Sequence, residues 1–470
     1  MNYELLGIAG YIIVMLFVGL YVSRKIKTDD DYFLAGRSLG PTLATFSIFA
    51  TWFGAETCIG TSGAVFRNGL SSIHADPVGY TACLLLMGFI FAKVLWNKKI
   101  TTIPDLFRQR FSPSTEKMAA IIMIPSSLIW SGAQIRAFGQ IIISTTTIDP
   151  TLAISIAALV VLLYTMCGGM LADAYNDLIQ GIAVIGGLIM LLVIIVMDMG
   201  GISAALATID VKRLALTGGE SSGLTFMGKL ELWMVPIFGS LMAQELVSRV
   251  ISSKSAKVAQ QSCYRAGFIY LAVGSIPVLI GLFGMHYMPN LADSETIMPL
   301  LAKTHLNYWM YIVFVGALVA AILSTVDTTL LSASALASHN LILPAMKNVT
   351  EKKKVLIARA GVFIAGGISF GIAFLSDSIT GLVEMASALG GPSILVITSI
   401  ALFVKKGNDK NAILAMSASI VMWALGHYVI EVEYPVILTI LACIVTYFGS
   451  LPFTRSSMIE SKAGIEVELS

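Results

Sequence analysis

Apolar stretches of about twenty residues, each closed by charges or turn residues, recur from one end of the chain to the other. Each is long enough to cross a hydrocarbon layer of ~30 Å. They predict thirteen transmembrane helices, near 3–23, 42–66, 77–97, 118–145, 150–168, 175–198, 230–250, 265–288, 309–343, 355–375, 379–403, 411–430 and 435–453. The first is read as a span: residues 1–23 lack the basic leader and small-residue cleavage site of a secretory signal. The short polar hinge from Gly168 to Asn176 makes the fifth and sixth the least sharply separated. An all-α membrane protein follows, a single transmembrane domain over 1–470.

Composition agrees. The 470 residues are 56% hydrophobic and 12% charged, where a soluble domain carries roughly 25% charge. The distribution of charge then sets the orientation. With the amino terminus outside, 24 of the 30 basic residues fall in the alternate loops that face the cytoplasm, among them Arg24 to Arg37, Lys93 to Lys117, Arg249 to Arg265 and Lys347 to Arg359. This is the skew of the positive-inside rule, and it predicts a carboxyl terminus inside and residence in the cell (inner) membrane. The longer external connections, 199–229 and 287–308, read as solvated loops, with a cover over the mouth of a pathway as the other reading. A net charge of +2 gives no reason to expect nucleic acid, and no protein partner is evident. Cys58, Cys83, Cys167, Cys263 and Cys443 all fall in apolar stretches and read as small core residues. The five histidines are scattered without metal-ligand spacing, no enzyme constellation is present, and nothing resembles a channel's selectivity filter.

Four spans break the rule that membrane helices stay apolar and continuous, and such breaks are tolerated only against protein or a wet cavity. In the second span Gly54, Gly60 and Gly63 accompany hydroxyls and Glu56. Unwound backbone there supplies carbonyl ligands for a hard cation, although small residues also serve close helix packing. The seventh span carries Pro236, Gly239, Ser240, Gln244, Glu245 and Ser248, again an interrupted helix. Interrupted segments at matching places in two halves mark a transporter's midplane site. Spans 2 and 7 open two successive blocks of five, and because five is odd the second block runs inverted. The count thus predicts a five-plus-five inverted repeat, with repeat one at 42–198, repeat two at 230–403, two extra helices at 411–453 and a short cytoplasmic tail at 454–470. In the hinge, Asp177 suits an ion site or a gate, and Asp173 suits a helix cap. In the ninth span Ser324, Thr328 and Ser332 form a polar stripe beside Thr325 and Asp327. Such hydroxyls either ligate an ion or bond back to the preceding turn.

These patches carry a resemblance. The run Asp31-Tyr32-Phe33-Leu34-Ala35-Gly36-Arg37-Ser38, the Gly-rich second span, the hinge Gly168-Gly169 to Gln180 and Leu323-Ser324-Thr325 look like the sodium:solute symporter family, over roughly residues 1–450. The resemblance implies a leucine-transporter-type fold and Na+ as the coupling ion. Its ion site would use backbone oxygens of Ala50, Phe53 and Ala321 and the hydroxyls of Ser324 and Thr325, with Asp177 close by. Within the family, the stretches at 248–253 and 327–334 look most similar to the choline-transporter branch, where Asp327 matches a position for a second ion. That branch implies an aromatic cage, onto which Trp52, Tyr80 and Trp130 map, and cation–π attraction is its physical basis. Each of the three aromatics also suits plain packing. Ala243 stands where the branch has an indole, and Glu56 where it is glycine-rich, so the expectation moves from choline toward another amine or a zwitterion. Glu56 would be the counter-charge to its amino group, and Gln244 joins the expected substrate-binding set.

The expected function is therefore sodium-coupled import of a small organic solute by alternating access, its only other surroundings being membrane lipid. Two rivals remain at this stage: proton coupling through Asp177 or Asp327, and a membrane sensor that binds the solute without moving it.

Overall fold

The computed structural model describes residues 26–454 apart from 146–147, 168, 217–222 and 376–377, together with Gly10, Ile13, Phe17 and Tyr21. Apart from those four positions the predicted first span, and all of the tail beyond 454, lie outside the described residues. The other twelve predicted spans are all helical. Among the described residues nine helices are long and apolar enough to cross a membrane, and a bent pair, Phe226–Gly239 and Gln244–Ile251, makes a tenth. Pro41–Ala50 and Pro150–Leu163 are shorter apolar helices. The segments keep their ordinal numbers below.

The outer faces explain why the chain needs lipid. Ile156, Leu159, Leu163, Ile182, Ile189 and Val193 are all exposed, an apolar belt that water would not tolerate. Inside, the ninth segment packs on the fourth and the sixth, and every residue from Ala317 to Ala335 is buried. With hydroxyls on this central helix, polarity in the ninth segment faces protein and not lipid.

The two expected breaks are present. The second segment runs as Pro41–Ala50, turns over 51–54 and resumes as a helix through Asn68, with a wide turn at Glu56–Gly60. The seventh stops at Gly239, and its halves meet at 43°. The eleventh is also divided, into Ile379–Ala388 and Gly391–Phe403. There the Gly391 Cα lies against the Gly239 backbone, an approach that any side chain would prevent.

Three sequence expectations change. The connections 199–229 and 287–308 are not free loops where they meet the second segment. Arg213 Nη2 donates to Val65 O over 2.8 Å, Arg67 Nη2 donates to Ser294 Oγ over 2.6 Å, and a Cβ on Gly63 would come within 2.8 Å of Ser294 O. Both are docked on the later half of that segment. Asp173 is not a cap, because the sixth helix starts after Gly169 and Asp173 turns inward to Arg249. Arg249, counted from sequence among the loop charges, is fully buried.

Candidate functional site

The break in the second segment builds the centre. Gly54 sits where a Cβ would be 2.5 Å from Thr325 Oγ1 and 2.8 Å from the Gln134 Oε1, so the chain can approach the ninth and fourth segments only with glycine here. Helix Pro41–Ala50 ends just before, and the freed Ala50 carbonyl accepts from Thr325 Oγ1 over 3.3 Å. Thr325 also reaches the Ala321 carbonyl at 3.3 Å. Ser324, on the next position, donates to Asp177 Oδ1. The expected ion ligands Ala50, Ala321, Ser324 and Thr325 thus come together with Asp177, and Phe53 lies in the same turn with its ring stacked on Phe49 at 4.6 Å. Carbonyl and hydroxyl oxygens of this kind suit a hard monovalent cation.

Asp177 is also tied to a network that sequence reasoning missed. Its Oδ2 accepts from Ser47 Oγ at 2.6 Å and from Arg249 Nη2 at 3.1 Å. Arg249 also donates to Asp173 Oδ2 at 2.6 Å, to the Ser47 carbonyl at 2.9 Å and to Thr328. One guanidinium thereby pairs with two buried carboxylates, with donors directed at each. The signal lay in the position of Arg249, which falls inside the seventh predicted span, 230–250, where a charged residue calls for a buried partner. Asp327 is not part of this group: its carboxylate accepts from Thr165 of the fifth segment.

Next to the break, Trp52, Tyr80 and Trp130 converge as expected. Trp52 lies 5.1 Å from Tyr80 and stacks on Trp130 at 6.1 Å, and Tyr80 is 6.2 Å from Trp130. All three are buried. Glu56 joins them, its Oε1 accepting from the Tyr80 hydroxyl at 2.7 Å. Gln134, one turn beyond Trp130, accepts from Ala55 N at 3.2 Å. Four polar atoms of this cluster are buried without a hydrogen-bond partner: Glu56 Oε2, Trp52 Nε1, Trp130 Nε1 and Gln134 Nε2. Buried polar groups left unpaired are costly, and at a binding site a ligand is the usual partner. Gln134 had no sequence signal beyond its place one turn after Trp130.

Gln244 is not brought to this cluster. Its Oε1 accepts from Ile103 N at 2.9 Å, and its Nε2 donates to Ser248 Oγ at 2.8 Å and reaches Thr101 O at 3.4 Å. The expected substrate contact is instead a tie between the seventh segment and the helix Ile103–Arg110. Nearby, Leu39 N donates to Ser252 O and Lys254 N to Leu39 O, which joins the beginning of the second segment to the end of the seventh.

The cavities differ between the two ends. One of about 390 Å³ reaches Tyr80 between Glu231, Glu384, Trp423 and His427. It shares His74, Ala75, Gly381 and Glu384 with a polar cavity of about 270 Å³ that extends to Arg67 and Ser294. At the other end, Gln244 and Glu245 line a cavity of only about 20 Å³. A further cavity, of about 570 Å³, is bounded mainly by apolar side chains of the third, seventh, eleventh and thirteenth segments and holds none of this chemistry.

Comparisons with known proteins agree with this architecture. The chain is 26% identical over 432 residues to the high affinity choline transporter 1 of Homo sapiens, covering 87% of this chain and 74% of that one. It is also 26% identical over 438 residues to the sodium/proline symporter of Salmonella typhimurium, covering 88% and 86%. The solved structure of a Na+-coupled sialic acid symporter in a substrate-bound outward-open state superposes with a TM-score of 0.84 at 19% identity, over 96% of this chain and 98% of that one. The sodium:solute symporter profile matches residues 32–419. The chain therefore belongs to the sodium:solute symporter family, as a helical membrane transporter and not an enzyme, with Na+ as its coupling ion.

Proposed function

We propose that the protein imports a small zwitterion bearing at least one N–H on its amine, driven by sodium. The unpartnered atoms around Trp52 carry this reading: one carboxylate acceptor, Glu56 Oε2, beside three donors, Trp52 Nε1, Trp130 Nε1 and Gln134 Nε2. A protonated amine complements the acceptor and a carboxylate complements the donors. The aromatic faces add cation–π attraction for the ammonium. A quaternary ammonium such as choline suits the faces but has no N–H for Glu56 Oε2.

In this reading the chain crosses the inner membrane thirteen times with the amino terminus out, and segments 2–6 and 7–11 are the inverted repeats. Sodium held by Ala50, Phe53, Ala321, Ser324 and Thr325, next to Asp177, joins the broken second segment to the ninth. The cavity that reaches Tyr80 opens to the outside, and the ties made by Gln244 and Ser252 close the inside. The solute enters past Tyr80, the bundle rocks, and low cytoplasmic sodium lets both leave. A potential of 100 mV supplies about 2.3 kcal/mol per charge, and a tenfold sodium gradient about 1.4 kcal/mol more. One ion thus sustains roughly several-hundred-fold accumulation of a net-neutral solute.

The test is radiolabelled uptake into proteoliposomes with and without a sodium gradient, across primary, secondary and fully N-methylated amino acids and choline. Sodium-driven uptake confined to N–H-bearing zwitterions supports the reading. Preference for choline or fully methylated amines overturns it.

A further inference from the structure

The cavity of about 570 Å³ takes no part in the solute site. Its walls include Phe91 of the third segment, Phe238 and Leu241 of the seventh, Ile400 of the eleventh and Ile444 of the thirteenth. Phe403 and Phe448 stand on its rim, 54% and 44% exposed. Ser399 is the one polar side chain in the wall, and its hydroxyl donates to the Leu395 carbonyl at 2.8 Å. No side chain in the cavity therefore asks for a polar partner, and water gains little in such a space. An acyl chain restores the dispersion contacts that apolar walls around an empty volume lack.

One end of the cavity is basic. Phe91 and Phe403 meet there with ring centroids 6.0 Å apart, and Lys93 and Lys405 follow them by two residues each. The connection after the eleventh segment is held in place at this end. Arg110 Nη2 donates to the Val404 and Lys405 carbonyls at 3.2 Å and 2.7 Å, and the Tyr447 hydroxyl, beside Phe448, donates to the Lys406 carbonyl at 2.9 Å. Lys93, Lys405 and Lys406 are exposed, and among the described residues none of them has a salt-bridge partner. The next charges along the chain are Lys98 and Lys99 on one side and Asp409 and Lys410 on the other, so the balance stays positive. Cations at the end of a hydrocarbon-lined slot match a phosphate joined to an acyl chain. Basic pockets between membrane helices on the cytoplasmic side recognise anionic headgroups in this way.

We propose that this cavity binds an acyl chain of an anionic phospholipid from the cytoplasmic leaflet, with the phosphate held by Lys93, Lys405 and Lys406. The site borders two breaks. Phe238 precedes Gly239, where the seventh segment stops, and Leu395 and Val396 lie on the half of the eleventh that begins at Gly391, against Gly239. A chain seated there supports both segments beside their breaks, and the lipid promotes transport. The site itself requires only that the chain reside in a membrane, whichever solute it carries.

The experiment is native mass spectrometry of the purified full-length protein, supplied with equal amounts of phosphatidylglycerol and phosphatidylcholine. A lysine beside an anionic headgroup contributes roughly fivefold in affinity. Wild type is expected to retain phosphatidylglycerol at least tenfold better, and Lys93→Gln/Lys405→Gln/Lys406→Gln to lose that preference. Ile400→Trp fills the slot, leaves the lysines in place and retains several-fold less phosphatidylglycerol; Val396→Phe serves if it does not fold. The control is Lys347→Gln/Lys352→Gln/Lys353→Gln, three exposed lysines of another connection, which behaves as wild type. Equal retention of the two lipids by wild type, an equal loss in the control, or full retention in the slot-filling variant overturns the site. In proteoliposomes, added phosphatidylglycerol raises sodium-driven uptake several-fold for wild type and not for the Lys93/Lys405/Lys406 variant; uptake indifferent to it overturns the role in transport. A lipid preference without any sodium-driven uptake would reject the transport reading while leaving the site in place.

Discussion

The Tyr80 hydroxyl donates to Glu56 Oε1 over 2.7 Å, and this one bond holds the carboxylate with its second oxygen unpaired among three aromatic rings. A hydrogen bond to a charged group is worth about 1.5–3 kcal/mol. Removing the charge is therefore expected to raise the KM for an amine-bearing solute by roughly 10–150-fold in Glu56→Gln. Tyr80→Phe keeps the ring and costs less. Concentration dependence of uptake separates the two, and an unchanged KM in Glu56→Gln removes the amine from this position.

Gly54 is the position where the second segment comes closest to Thr325 and Gln134. Gly54→Ala is expected to push the break away from the ninth segment and to weaken sodium activation of uptake by tenfold or more. Gly316, on the same ninth segment with open space around it, supplies the control: Gly316→Ala leaves sodium activation unchanged. Equal behaviour of the two variants counts against the close approach as the reason for Gly54.

Arg249 is the sole salt-bridge partner of Asp173 and Asp177 among the described residues. Arg249→Ala leaves two buried carboxylates uncompensated and is expected to cost about 3–5 kcal/mol, read as a large fall in the thermal midpoint of the purified protein. Adding Asp173→Asn removes one orphaned charge and recovers part of the loss. No recovery means that packing and not charge is what Arg249 supplies.

Gln244→Ala leaves the Ile103 N–H without its acceptor, at about 1–3 kcal/mol. The expected result is easier opening of that end. A cysteine placed at Ser248 gains reactivity toward a thiol reagent, while the order of preference among solutes stays the same. A changed order of preference returns Gln244 to the solute site.

The parts legible in the sequence share one physical origin. Lipid requires long apolar runs, so every predicted span among the described residues was visible as hydropathy, and polar residues inside a run stood out at Glu56, Ser324 and Thr325. The docked connections were less visible, because a polar segment reads alike whether it faces water or covers a helix. Arg213 on Val65 O is a backbone contact, and backbone leaves no residue-type signature.

Gln244 and Arg249 make the same point from inside the bundle. Each is a polar residue in a broken helix, and both local reasonings were sound: an amide for a solute, a cation for a loop. The packing of the seventh segment against Thr101–Ile103 and against Ser47 gave them other partners.

The chain alone thus determined membrane residence, the helical segments among the described residues and the two breaks, because these follow from solvent transfer energies and from short-range patterns along a helix. Only the tertiary structure decided which carboxylates are paired and which are left for a ligand. Asp177 meets Arg249 seventy-two residues away, and Asp76 meets Tyr270 across 194. Charge balance in a buried site is a sum over neighbours in space, and it is not written in the order of residues.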